Sequence, residues 1–190
     1  MPRSTNTQRT ILDLAESLLQ DKGYNGFSYA HIARELGVKN AAVHYHFPTK
    51  EALGAAVIQR YRDRFKLWTN NARIKDLSPE EKLDWFFSIY TNTRADHGKV
   101  CLAGSLETEF HSLPDTVREQ TKALTTELLA WLQDTLKEGR DAGTFHFNGE
   151  PADKASLILA SLQGALQMAR AMGTKKFHAV VAQHKQDLLA

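Results

Sequence analysis

An all-α fold is predicted for this 190-residue chain, and three observations predict it. Apolar residues recur at helical spacing from one end to the other, with no run that alternates as a half-buried strand does. Capping residues, prolines and glycines fall where those periodic runs begin and end. No internal repeat or low-complexity tract interrupts the pattern.

The elements follow in order. "TQRTILDLAESLLQDKG" places Ile11, Leu14, Ala15, Leu18 and Leu19 along one face and stops at Gly23, where "GYNGF" is turn chemistry. Ser28 is a good N-cap for "YAHIAREL", which has Ile32, Ala33 and Leu36 on one side and ends at Gly37. A third helix begins near Asn40 and is closed by Pro48. Thr49 caps a long fourth helix, Glu51 to about Arg73, with Lys50-Glu51 at its first turn. After the loop "IKDLSPEEK", Ser78-Pro79-Glu80-Glu81 starts a helix that runs through "KLDWFFSIYTNTRA" to a break at His97-Gly98. A shorter helix around "CLAGSLETEF" ends at "HSLPD". Pro114 opens "DTVREQTKALTTELLAWLQDTLKEGRDAG", terminated by Gly143. "EPADKASLILASLQGALQMARAMG" follows, with Pro151 near its start and Gly173 at its end. An amphipathic "KKFHAVVAQHKQDLL" comes last.

Composition narrows the function classes. At 42% hydrophobic the chain can bury a real core. No apolar run approaches the roughly 18–20 residues that cross a bilayer, and "MPRSTNTQRTILDLAESLL" lacks a signal core, so a cytoplasmic protein without a membrane partner is expected. A single cysteine, Cys101, excludes an intrachain disulfide framework and a multi-thiolate zinc site. The net charge of +2 is small, but its distribution is uneven. Met1 to Lys66 holds ten basic and six acidic residues, a surplus of +4 that leaves −2 for the remainder. This is a basic head on a near-neutral body.

Within that head, "HYHF" presents two histidines, His44 and His46, around a tyrosine. Residues two apart on a helix point about 200° apart, and no cysteine or carboxylate adjoins them to complete a site. No metal, cofactor or catalytic residue is therefore expected. Two helices joined by a tight glycine turn are instead the helix-turn-helix arrangement. Ile32, Ala33, Leu36, Val38, Val43 and Phe47 form its inner face. The other face carries Lys39, Asn40, Ala41, Ala42, His44, Tyr45 and His46, small residues among donors and one flat aromatic. Such a surface suits a major groove.

"FSYAHIARELGVKNAAVHYHFPTKEAL" resembles the signature of the TetR family of bacterial transcriptional regulators, with a match over about residues 7–55. The resemblance implies a three-helix DNA-binding head, residues 1–50, joined by a long fourth helix to a larger helical ligand-binding and dimerisation bundle, residues 51–190. It implies that Lys39, Asn40, Ala41 and Ala42 approach base edges and that Tyr45 packs on base methyls or backbone. His46 and Lys50 stand where the family contacts phosphate, and Tyr29 is expected at the groove edge. Ser28 and Thr49 complete the expected DNA-binding set. His44 departs from the pattern, which usually has tyrosine there.

The body is expected to bind a small organic effector, since aromatics with a few polar groups in a bundle make a pocket. The candidates are Phe87, Tyr90, Cys101, Phe110, His111, Trp131, Gln163 and Gln167. Against this stands the plainer expectation that most of the aromatics are core and that Cys101 is a buried small hydrophobe. "ASLILASLQGALQMARAM" is rich in small residues at helical spacing and, with "FHAVVAQHKQDLL", can form a four-helix bundle between two copies. A homodimer through these last two long helices is what the resemblance implies, and two reading heads suit a palindromic double-stranded operator. Together these give a ligand-responsive regulator, in the first instance a repressor. The alternatives are a DNA-binding dimer without an effector, and an enzyme using "HYH" or Glu107, Glu109 and His111 as acid–base groups.

Overall fold

The structure is a computed structural model that describes residues 3–91 and 98–190. Among these residues it is all helical, as the periodicity predicted. Helix α1 spans Arg3–Lys22 and buries Ile11, Ala15 and Leu19 completely. Gly23, at φ +77°, closes it by donating its N–H to the Leu19 carbonyl at 3.1 Å. Helix α2, Tyr29–Leu36, starts at extended Ser28, whose N–H donates to His31 Nδ1 at 3.2 Å. Its end is a left-handed glycine cap at Gly37, φ +64°, with the Val38 N–H reaching back to the Ala33 carbonyl. Helix α3, Asn40–His46, follows after this tight turn and buries Val43, with Phe47 beneath its end. The inner face read from the sequence is largely in place: Ile32, Ala33, Val43 and Phe47 are buried, while Leu36 and Val38 are half-buried.

Thr49 Oγ1 accepts the Ala52 N–H at 3.0 Å and so caps α4, Lys50–Thr69. The expectation that this helix continues to Arg73 is corrected. It ends at Thr69, and Asn71, whose side-chain oxygen accepts the Arg73 N–H at 2.9 Å, starts a separate turn of helix, α5, Ala72–Lys75. Asparagine competes well with the helix for backbone donors, so the Asn70-Asn71 pair breaks the run. Helix α6 is Pro79–Thr91, opened by the reciprocal Ser78 and Glu81 bonds of a capping box. Its expected continuation to His97 falls on residues 92–97, outside the described residues. Helix α7, Leu102–Thr108, and a 3-10 turn, Phe110–Ser112, lead to α8, Asp115–Asp141. Helices α9, Pro151–Met172, and α10, Lys175–Leu189, end the chain and pack on each other.

The chain forms two compact units. One holds the residues up to Arg64 together with Leu102–Leu124; the other holds Phe65–Cys101 and Thr125–Ala190. This packing division differs from the functional boundary at residue 50 expected from the sequence, because α7 and the start of α8 join the head. In the first unit Leu102, Ala103, Leu106, Val117 and Leu124 are buried alongside the α1–α4 core. Ser105 Oγ donates to the Leu19 carbonyl at 2.8 Å, and Arg60 of α4 bridges Asp13 and Glu16 of α1 at 2.6 and 2.8 Å. The second unit is cored by Leu83, Phe86, Leu132, Leu136, Ile158, Leu162 and Phe177. None of the described helices is long and apolar enough to cross a membrane.

Candidate nucleic-acid interface

The site is built from the turn upward. Seven residues are too few to hold a helix alone, so α3 rests on Val43 and Phe47 and turns its other face outward. Lys39, Asn40, Ala41, His44 and Tyr45 are exposed on it; Ala42 and His46 are half-buried. Tyr45 is 80% exposed, a large aromatic held edge-on against the His46 ring at 5.2 Å. Its ring is the most prominent apolar feature of the face. Ser28 and Thr49, at the starts of α2 and α4, are also exposed.

Two members of the expected set make bonds within the head itself. Tyr29, expected at the groove edge, is only 7% exposed, and its hydroxyl donates to the Phe47 carbonyl at 2.8 Å. That carbonyl ends α3, so Tyr29 ties α2 to the end of the reading helix. Burial, with Tyr24 adding to it, pushes the Tyr29 phenol up to about 12, so it stays a donor at ordinary pH. Lys50 is half-buried against the α1–α2 turn. Its ammonium donates to the Phe27 carbonyl and lies over the Tyr24 and Phe27 rings, 4.8 and 4.5 Å from their centroids. Burial lowers its pKa, while the charge of Glu109 opposes that shift.

The two histidine rings have different partners. The His44 ring meets the Tyr29 ring edge-on at 4.5 Å, and its Nδ1 donates to the Pro48 carbonyl at 3.3 Å. His46 meets Tyr45 instead. Thus His44 is braced from behind with its outer edge in solvent, and His46 steadies the aromatic.

The effector candidates do not form one lining. Phe110 and His111 belong to the first unit; His111 is exposed, and the Lys122 ammonium lies 5.6 Å from the Phe110 ring centroid. The other candidates belong to the second unit. There Phe87, Tyr90 and Cys101 are buried, and the Cys101 thiol lies 3.9 Å from the Tyr90 hydroxyl. Trp131 is half-buried, stacked on Phe86 at 5.4 Å and tilted against Trp68 at 4.9 Å. Gln167 is exposed, while the side-chain nitrogen of half-buried Gln163 lacks a partner among the described residues. A cavity of about 140 Å³ in this unit is lined by Thr69, Lys75, Lys82, Trp131, Thr135 and Glu138 among others; of the candidates, Trp131 alone lines it.

Sequence reasoning missed the carboxylate of Glu109 as part of the head. Its Oε2 accepts the Asn25 N–H at 2.9 Å and the Asn25 side-chain amide at 3.1 Å. The two residues are 84 positions apart, and no local pattern signals the pairing. The acid–base use suggested for Glu109 gives way to a structural bond.

The face defined by α2 and α3 is that of a helix-turn-helix DNA-binding regulator. Residues 11–57 match the model for bacterial regulatory proteins of the tetR family, and residues 79–184 match the tetracyclin repressor-like C-terminal domain. A TetR-family transcriptional regulator from Agrobacterium tumefaciens superposes with a TM-score of 0.91 at 30% identity, covering 99% of this chain and 100% of that one. A TetR regulator from Legionella pneumophila gives 0.81 at 34% identity, covering 94% and 95%. The HTH-type transcriptional repressor DhaR of Mycobacterium sp. (strain GP1) is 25% identical over 164 residues, 85% of this chain and 81% of the relative. The chain belongs to the TetR family: it is a ligand-responsive, DNA-binding transcriptional regulator and not an enzyme.

Proposed function

We propose that the protein is a homodimeric, cytoplasmic repressor, released from a roughly palindromic operator by a small organic effector. The observation that carries the DNA side is the outward face of α3, where exposed Tyr45 stands among Lys39, Asn40 and Ala41. Two such helices enter successive major grooves. Tyr45 contacts base methyls or backbone, Asn40 and Lys39 supply hydrogen bonds, and the small Ala41 and Ala42 permit close approach. His46, Ser28 and Thr49 flank the contact on the phosphate side. Residues 1–50 supply the reading and residues 51–190 supply effector binding and dimerisation.

Dimerisation through α9 and α10 is supported by what these helices leave uncovered. On α9, Leu157, Ala160, Gly164, Met168 and Ala171 are exposed in one stripe, and on α10 Ala179 and Ala182 are exposed. A Cβ at Gly164 would meet nothing within 4 Å, so a partner helix can approach there. Apolar exposure of this kind is characteristic of a covered surface. Repression is the role that the name of the DhaR relative supports. Aromatic residues of the second unit, Trp131 at the cavity above all, favour a partly apolar effector. Its binding tilts α4 and changes the separation of the two heads, which requires it to bind one arrangement better than the other.

Binding to the DNA immediately upstream of the protein's own gene, titrated against salt, tests this reading beside Tyr45→Ala. Tight, sequence-dependent binding that weakens steeply with salt and is lost in the variant is expected. Sequence-blind binding unaffected by the variant would refute it.

A further inference from the structure

Helix α8 carries Trp131, Asp134, Thr135 and Glu138 on one face, at the spacing of successive helical turns. This face forms one wall of the cavity of about 140 Å³ in the second unit. Trp131 is held firmly there, stacked on Phe86 and tilted against Trp68. Ile74 of α5, 7% exposed, adds a second apolar surface. An apolar cavity of roughly 150 Å³ takes up benzene, so a single aromatic ring suits a space of this size.

The polar side chains around that space fall into two groups. Some are already committed. The hydroxyls of Thr69 and Thr135 donate to the Lys66 and Trp131 carbonyls of their own helices, at 3.2 and 3.0 Å. The Lys82 ammonium donates to both oxygens of Glu138 at 2.8 Å, a clamp between α6 and α8 in which Lys82 is only 12% exposed. Lys75 and Asp134 are different: their side chains are exposed and have no partner among the described residues. They carry opposite charges and line the same cavity, yet they do not pair with each other.

We infer that this cavity takes a monocyclic zwitterion, with an aromatic ring against Trp131, an ammonium toward Asp134 and a carboxylate toward Lys75. The lining is neutral as a whole, two cations against two anions, and such a ligand is neutral too. A ligand with a single charge would cover the other side chain without pairing it, and a covered, unpaired charge is costly. Because Lys75 and Asp134 stand beyond pairing distance, the ligand's charges must stand apart as well, as they do across a ring and do not on a single carbon. The inference rests on reading this cavity as the effector site, and it names the chemistry that the site accepts.

The test titrates the full-length protein calorimetrically at neutral pH with three probes. They are para-aminomethylbenzoate, which carries both charges, benzylamine, which carries only the ammonium, and benzoate, which carries only the carboxylate. Exposed ion pairs contribute modestly, so the zwitterion is expected to bind about fivefold tighter than either single-charge probe. Asp134→Asn should remove its advantage over benzoate, and Lys75→Gln its advantage over benzylamine; both positions are exposed, so neither change disturbs the core. Added salt should shrink both advantages. Trp131→Ala should abolish binding of all three probes, and Trp131→Phe, which keeps a ring in the cluster, should weaken all three alike. Equal affinity for the three probes overturns the inference, and so does an advantage that survives both charge substitutions or an absence of binding at millimolar probe. Release of the upstream DNA fragment by the zwitterion is a separate readout. Binding that obeys the charge rules while the DNA stays bound supports the ligand class and counts against the effector reading. Release that is unchanged in both charge variants overturns the ligand class and leaves the effector reading standing.

Discussion

His184 of α10 shows how much one ring can commit. It stacks on Phe87 at 6.5 Å and 24°, and its Nε2 faces the Ser161 hydroxyl. Ser161 already gives its own proton to the Ile158 carbonyl at 2.9 Å, so the histidine donates through Nε2 and its Nδ1 is bare. That Nδ1 is buried without a partner among the described residues. Burial first, and the Lys154 charge second, hold the pKa below 6.5, with Asp187 opposing. The folded state thus takes up a proton later than the unfolded one as pH falls. The stability contributed by neutral His184 is present above about pH 6.5 and is lost as pH drops through the folded value. Thermal melts between about pH 7 and 5 should show a steeper loss in the wild type than in His184→Gln; parallel losses would remove His184 from the account. Tyr29 makes a second commitment of this kind. Tyr29→Phe strands the Phe47 carbonyl inside the head, at a cost of about 1–2 kcal/mol in chemical denaturation. It should also weaken operator binding, since α3 loses its tie to α2. Stability equal to wild type would mean that the carbonyl finds another donor.

At the scale of elements, two glycines in turns and helices play opposite parts, and substitution separates them. Gly37 has φ +64° with open space around it, so Gly37→Ala costs only the left-handed backbone, roughly 1–2 kcal/mol, and Gly37→Asn less. Gly139 lies inside α8, where a methyl would stand 2.0 Å from the Phe145 ring. Phe145 is 1% exposed and its N–H donates to the Gly139 carbonyl, so the ring cannot step aside. Gly139→Ala should cost about 1–3 kcal/mol despite its better helix propensity, and Phe145→Leu should relieve part of it. An alanine variant as stable as wild type would show that the chain after α8 repacks. These elements were legible because helix signals are local: Ser28, Gly37, Pro48, Ser78, Pro114 and Gly173 each act within a few residues. The outward face of α3 was legible for the same reason. The bonds of Tyr29 and Lys50 within the head were not, because both depend on partners 18 and 23 residues away. Glu109 was further out of reach, since its partner is set by tertiary packing alone. The Asn70-Asn71 break was present in the sequence but looks like ordinary helix surface until the asparagine side chain is seen to cap.

For the whole molecule, the decisive quantity is the number of reading heads on one particle. A seven-residue helix presents few side chains to a groove, and one half-site contact is too weak and too short-lived for control. Joining two heads makes the second contact intramolecular, at an effective concentration near the millimolar range when the spacing suits. The stripe on α9 is where that joining should be breakable without harm to the fold, because Leu157 is 57% exposed in the single chain. Leu157→Glu puts a charge where a second copy's apolar surface would lie, and an unpaired buried charge is far more costly than a lost methyl contact. The variant should sediment as a monomer with unchanged helical circular dichroism. Its affinity for a full operator should fall by about 100-fold or more, toward that for an isolated half-site, whereas the wild type should distinguish the two strongly. A monomer that still binds the full operator as wild type does would show that dimerisation and reading are not coupled. A variant that stays dimeric would place the joining surface away from Leu157, and Gly164→Glu and Ala182→Glu would then locate it along the same two helices or exclude them.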